Sequence, residues 1–195
     1  MRLDVGAVEG FGAFMTALDE VLVERFETDR IDALINNAGV GVHASFADTT
    51  SSQLSMLLDV HLRGPFHLTQ QMLPRLRNGG HILNLPTGLA RFTMPGFGAY
   101  AAAKAAMEVL TRYQALELCP RGIRVNVIAP GAIETDFAGG VVRDNPELNA
   151  MISSRTALGR VGTPDDVAAA VSMLLGEGGR WISGQRIEVS GGQSL

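Results

Sequence analysis

The chain has 195 residues, of which 46% are hydrophobic, with 23 glycines and a net charge of -4, which suits one domain with a sizeable core and many tight turns. The acidic balance without a basic cluster argues against a nucleic-acid surface, and no apolar run reaches the roughly 18 residues that a membrane span requires. The single cysteine, Cys119, excludes an internal disulfide framework and fits a reducing compartment; with no charged-then-apolar leader at Met1, a cytoplasmic location is expected.

Met1 to Val5 reads as a very short strand. Phe11 to Phe26 is an amphipathic helix, with Phe11, Phe14, Met15, Leu18, Leu22 and Phe26 on one stripe. Ile31 to Asn37 is an apolar run ending in Asn36-Asn37-Ala38-Gly39, as expected of a buried parallel strand that delivers polar side chains at its carboxyl end. Ser51 to Arg77 reads as one long helix, kinked at Pro65 and closed by Asn78-Gly79-Gly80, with Pro74 able to end it early. The strand His81 to Leu85 runs into Pro86-Thr87, and a glycine-rich loop leads to a helix over Ala99 to Leu118.

Ile123 to Ala129 is a strand ending in Pro130-Gly131, and residues 132–162 mix polar, glycine and helical signals as a mobile insertion would. Thr163-Pro164-Asp165-Asp166 starts a further helix, with Thr163 as N-cap, proline at the first helical position and acids at the positive end of the dipole. Arg186 to Ser190 is the last strand. Strands alternating with helices imply an α/β fold, a doubly wound parallel sheet covered on both faces within a single domain over residues 1–195. Ligands bind such sheets at the carboxyl ends of the strands, where Asn36-Asn37, Thr87 and Pro130-Gly131 all fall.

The stretch from Asn84 to Lys104 carries groups suited to proton transfer: the hydroxyl of Thr87, the phenol of Tyr100 and the ammonium of Lys104, the only lysine among 16 basic residues. Tyrosine and lysine four apart share a helix face. An ammonium at about 4 Å favours phenolate over a phenol of pKa about 10 by roughly 4 kcal/mol at an effective dielectric of 20. Taken alone, the pair is also compatible with an amphipathic helix carrying one snorkelling lysine.

Asn36-Asn37-Ala38-Gly39, a hydroxyl residue 13 before Tyr100, Tyr100-x-x-x-Lys104, Arg124-Val125-Asn126 running to Pro130-Gly131, and the Gly184 to Gly192 segment occur together in order. In this combination the chain resembles the short-chain dehydrogenase/reductase family over nearly its whole length. The resemblance implies a Rossmann-like sheet, a nicotinamide cofactor (NAD or NADP, with NADP favoured) and a small-molecule carbonyl or secondary alcohol as substrate. It assigns Tyr100 as general acid/base and Lys104 as the residue that lowers the tyrosine pKa and holds the nicotinamide ribose. Thr87, where the family usually has serine, would polarise the carbonyl.

His61, in Asp59-Val60-His61-Leu62-Arg63-Gly64-Pro65-Phe66, stands where many relatives carry an asparagine of a water-mediated proton relay; an imidazole can serve there or be a satisfied, half-buried histidine. The resemblance places Asp4 and Val5 at the adenine side. It places Asn37, Ala38, Gly39, Pro130, Gly131, Ile133 and Thr135 along the cofactor, although Pro130-Gly131 also reads as a plain turn, and makes Phe137 to Leu158, within the 132–162 insertion, the substrate lid. It also implies a homodimer through the helices Ser51 to Arg77 and Ala99 to Leu118, and a tetramer through the Gly184 to Leu195 end. His43, His67 and His81 show no metal-ligand spacing, so no metal is expected.

The departure from the family lies at the front, where only 35 residues precede Asn36. Gly6-x-x-x-Gly10-x-Gly12 imitates a pyrophosphate turn, but it lies one helix and one strand before Asn36. The preferred reading makes Arg2 to Val5 the end of the third family strand and leaves the first strand-helix units absent, with an unpaired strand edge. A catalytic oxidoreductase and a non-catalytic remnant that keeps the oligomerising helices are thus the two functions to weigh.

Overall fold

The computed structural model describes residues 1–195. Four parallel strands, β1 (Ile31–Asn36), β2 (Leu76–Asn84), β3 (Arg124–Pro130) and β4 (Arg186–Val189), form one sheet in the order β1-β2-β3-β4. The helices are α1 (Phe11–Phe26), α2 (Ser51–Leu58), α3 (Gly64–Met72), α4 (Gly98–Leu118), α5 (Val141–Asp144), α6 (Pro146–Ser154) and α7 (Pro164–Leu175). No helix is long and apolar enough to cross a membrane.

Local chemistry fixes the helix starts. Thr50 caps α2 in a capping box, its hydroxyl accepting from the Gln53 N–H (3.2 Å) while the Gln53 side chain accepts from the Thr50 N–H (2.9 Å). At α7 the Asp166 carboxylate accepts from the Thr163 N–H (2.7 Å) and hydroxyl (3.0 Å), with Pro164 opening the helix as expected. The main core lies on one face of the sheet. Phe11 and Met15 of α1 and Leu68 and Met72 of α3 pack there on Leu34, Ile82 and Val125. On the opposite face α7 sets Leu174 against Leu83 and Ile128.

Four sequence expectations are corrected. Met1 to Val5 forms no strand: no neighbouring strand offers it a ladder, and Asp4 instead turns the chain by accepting from the Gly6 N–H at 2.9 Å. The long helix over Ser51 to Arg77 ends at Met72, because Pro74 halts it, and Asn78-Gly79-Gly80 lies inside β2 instead of closing the helix. The kink is not a bend at Pro65 but a π-helical turn over Asp59–Arg63, after which Pro65 sits in the first turn of α3. The second face of the sheet is only partly covered: Ile35 on β1, register partner of Leu83, stays 41% exposed. β1 pairs only with β2, so the unpaired edge expected beside it is present.

Candidate active site

The sheet register brings the site together. Asn36 pairs in register with Asn84, and Asn84 with Val127, so β1, β2 and β3 discharge at one level. The Asn36 amide donates to Asn84 Oδ1 (2.8 Å) and Thr69 Oγ1 (3.2 Å), and the Asn84 amide donates to Thr111 Oγ1 (2.8 Å) and Gln114 Oε1 (3.1 Å). This ladder pins the strand ends to α3 and α4. Its two asparagines are spent on structure, and no sequence spacing singles out Thr111 and Gln114, whose partner Asn84 lies 27 and 30 residues away.

Thr87 follows β2 and begins the turn Gly88–Ala90, its hydroxyl oxygen accepting from the Leu89 N–H at 3.3 Å. Tyr100 and Lys104 lie on one face of α4, each 6% exposed, and Thr87 is 8% exposed. The Tyr100 ring stands against His61 (centroids 5.3 Å apart), Phe97 (6.2 Å) and Phe137 of the segment after Thr135 (5.7 Å). Burial pushes the Tyr100 phenol up from its ordinary value of 10.0, with the Thr87 hydroxyl pulling the other way. The lowering by Lys104 expected from the sequence is therefore not what governs the phenol in this structure. Lys104 donates from Nζ to the Leu85 carbonyl (2.7 Å), and burial brings its own ammonium down to about 8.

His61 belongs to this group. It lies in the π-helical turn, is 2% exposed, and donates from Nε2 to the Val40 carbonyl at 2.7 Å. A carbonyl can only accept, so Nδ1 is the unprotonated nitrogen, and it is buried without a partner. Burial, and next the Lys104 ammonium, bring the imidazole down to about 4. A cavity of about 10 Å³, the room one water molecule needs, lies among Asn36, His61, Asn84, Leu85 and Lys104. A side-chain carbon at Gly39 would stand 3.2 Å from His61 Cε1 and 3.4 Å from Lys104 Nζ, so the chain leaving β1 passes directly over both.

The remaining predicted residues divide. Asn37, Ala38 and Gly39 are exposed at the end of β1, as a ligand-facing loop requires. Gly131 closes β3 with its N–H on the Val189 carbonyl (3.1 Å), and a side chain there would stand 2.7 Å from Gln193 Oε1 and 2.9 Å from Ser190. Ile133 bridges to Gly162, and the Thr135 hydroxyl accepts from the Phe137 N–H at 3.2 Å. Asp4 and Val5 join no strand end: Asp4 holds its local turn, and Val5 packs at the edge of the main core.

For a dinucleotide the fit is uneven. The carboxyl ends of β1 and β3 present the exposed Asn37–Gly39 loop and Pro130-Gly131, on the side of the sheet where α4 carries Tyr100 and Lys104. The glycine string at the front offers no comparable cradle, since the Gly6 N–H is taken by Asp4 Oδ1 and the Gly10 N–H by the Ala7 carbonyl. No strand leads into it.

A family model described as enoyl-(acyl carrier protein) reductase matches residues 2–194. A short-chain dehydrogenase/reductase of Armillaria gallica is 36% identical over 174 residues, covering 85% of this chain and 66% of that protein. Among solved structures, the promiscuous reductase LugOII, which catalyses keto-reduction at C1 during lugdunomycin biosynthesis, superposes with a TM-score of 0.93 at 35% identity over 100% of this chain and 77% of its own. The angucycline C-6 ketoreductase LanV with bound NADP gives 0.88 at 31% identity, over 94% and 70%. The chain belongs to the short-chain dehydrogenase/reductase family of oxidoreductase enzymes. It spans about two thirds of the length of the Armillaria relative.

Proposed function

We propose that this chain carries the catalytic half of an NAD(P)-dependent oxidoreductase that interconverts a carbonyl and a secondary alcohol. The observation that carries the reading is a buried phenol, Tyr100, beside the Thr87 hydroxyl and one helical turn from the buried Lys104. A bound nicotinamide supplies the hydride in reduction and accepts it in oxidation. Tyr100, held protonated at neutral pH, gives its proton to the carbonyl oxygen. Thr87, whose oxygen accepts from the Leu89 N–H, turns its own O–H toward Tyr100, from where it can donate to that same carbonyl oxygen.

Lys104 is charged below about pH 8 and stands ready to hold the ribose, with Asn37, Ala38, Gly39, Pro130, Gly131, Ile133 and Thr135 around the nicotinamide half. His61 relays protons: it has a free Nδ1, and it lines with Lys104 a cavity with room for one water. The 132–162 segment, through Phe137, closes the substrate side with an aromatic wall that favours apolar or aromatic carbonyl compounds. NADP is favoured because LanV binds it.

The tied amides of Gly6 and Gly10 favour a second reading, a non-catalytic remnant that keeps the oligomerising helices and cannot bind the dinucleotide. Calorimetric titration with NADPH and NADH separates the two. Heats that do not saturate at micromolar cofactor, with turnover only at millimolar NADPH, are expected. Saturation at micromolar concentration would show that the front does cradle the phosphates, and a folded chain with neither binding nor turnover would leave the second reading.

The outward stripe of α4, Val109, Tyr113 and Leu116 (48, 61 and 72% exposed), with Leu54 and Leu58 of α2 (41 and 38%), supports a homodimer through these helices. Leu116→Glu is expected to convert a dimer to monomer in light scattering. A wild-type monomer removes the proposal.

A further inference from the structure

The five residues after β4, Ser190 to Ser194, hold three loops around the candidate site: the Thr87 turn, the Pro130–Ala132 loop and the Arg155–Leu158 return. Gln193 Oε1 accepts from the Ala132 N–H at 2.8 Å, which holds the Pro130–Ala132 loop. The Gly192 and Gly191 carbonyls accept from the Ala157 (3.3 Å) and Leu158 (3.0 Å) N–H groups, and the Ser194 N–H donates to the Arg155 carbonyl (2.8 Å), which holds the return of the 132–162 segment.

Arg91, at the end of the Thr87 turn, makes the third attachment. It donates from Nη2 to the Gln193 carbonyl (2.6 Å) and from Nη1 to the Ser194 carbonyl (3.1 Å), and forks onto both Glu188 oxygens at 2.7 Å. Glu188 is itself set by Arg186 (2.9 Å) and the Ser190 hydroxyl (2.7 Å), and Arg186 reaches Glu108 on α4 (2.8 Å), two turns beyond Tyr100 on the same helix face.

Two guanidinium and two carboxylate groups thus close a charge-balanced chain from α4 through β4 to the Thr87 turn; the Arg91 fork makes its last link, beside one long direct contact from Arg186 Nη2 to the Thr87 carbonyl (3.5 Å). We propose that Arg91 is a positioning residue, which through Glu188 and the tail carbonyls fastens the Thr87 turn to the Pro130–Ala132 loop and the Arg155–Leu158 return, so that the three move as one body. A lysine could satisfy only part of this arrangement, because it lacks the rigid fork that serves a carboxylate and two carbonyls together. The catalytic consequence, a fixed Thr87 hydroxyl beside Tyr100, rests on the proposed oxidoreductase reading; the mechanical coupling does not.

Hydrogen exchange on the whole chain tests it without turnover. Arg91→Ala is expected to speed exchange about tenfold, as loss of a hydrogen bond to a charged group should, in the peptides covering 87–92, 130–133 and 155–158 together, with α1 and β2 unchanged. Glu188→Gln, which keeps the shape, gives the same pattern to a smaller degree and serves if Arg91→Ala does not fold; Arg91→Lys restores it only in part. Loosening confined to residues 190–195, or spread evenly over the whole sheet, overturns the proposal.

A second readout is the phenolate absorbance of Tyr100 in a Tyr113→Phe background. Its titration should move upward in Arg91→Ala as the Thr87 hydroxyl withdraws, and an unmoved titration counts against Arg91. Coupled exchange in a chain without turnover sustains this inference and sinks the oxidoreductase reading. Uncoupled exchange with intact turnover does the reverse.

Discussion

Tyr100→Phe is expected to lower carbonyl reduction by about 10² to 10⁴-fold, the usual contribution of a positioned general acid, with little change in fold. The ring stays, and with it the packing on Leu57 and Ala103; only the hydroxyl goes. That hydroxyl is the protonated partner a carbonyl oxygen needs, since burial holds it above its ordinary value of 10.0. Thr87→Val should cost about 10² to 10³-fold as the loss of one donor to developing oxyanion charge, while Thr87→Ser keeps the hydroxyl and should retain turnover. Steady-state reduction at millimolar NADPH checks all three variants. Turnover unchanged in Tyr100→Phe would remove the phenol from its role, whatever the cofactor affinity.

The second large effect is on stability in acid. His61 and His81 are each 2% exposed, and each is brought from 6.5 down to about 4, by burial first and then by a neighbouring cation, Lys104 for His61 and Arg124 for His81. His81 Nε2 accepts from the Asn126 amide at 3.0 Å, which leaves its proton on Nδ1 with only weak support from the Leu174 backbone. The unfolded chain therefore binds protons that the folded one refuses between pH 6.5 and about 4. Stability is full above that window and falls as pH drops through it, by up to about 3 kcal/mol per imidazole, at as much as about 2.7 kcal/mol per pH unit for the pair.

Glu188, held at about 2 by the Arg91 guanidinium first, loses its stabilisation as pH falls below 4.5, largely beneath the histidine window. His81→Gln, which can still accept from Asn126, should roughly halve the slope in urea unfolding followed at pH 7, 5.5 and 4.5. An unchanged slope would mean that His81 is already charged in the folded chain.

The motif residues were legible because short spacings become proximity through regular structure. Tyr100 and Lys104 share a face because a helix turns once in about 3.6 residues, and the Thr87 turn beside Tyr100 comes against Pro130 at Gly88 because parallel strands end at one level. The strand boundaries were less legible. Asn78-Gly79-Gly80 carries turn chemistry, yet it pairs inside β2, where the neighbouring strands decide. Met1 to Val5 has strand composition and no strand, for want of a partner. The Arg91 attachment left no trace in the sequence: its partners are 97 to 103 residues away, and no periodicity links them.

The π-helical turn at Asp59–Arg63 has a geometric consequence of its own. One extra residue in a helical turn advances the phase of every later side chain by about 100°. Leu57, before the turn, packs beside Tyr100, whereas Leu68 and Met72, after it, face the main core under β1 and β2. A continuous run of helix can therefore line two separate compartments, with His61 seated at the changeover between them. An α-helix of constant pitch through the same residues would have had to choose one.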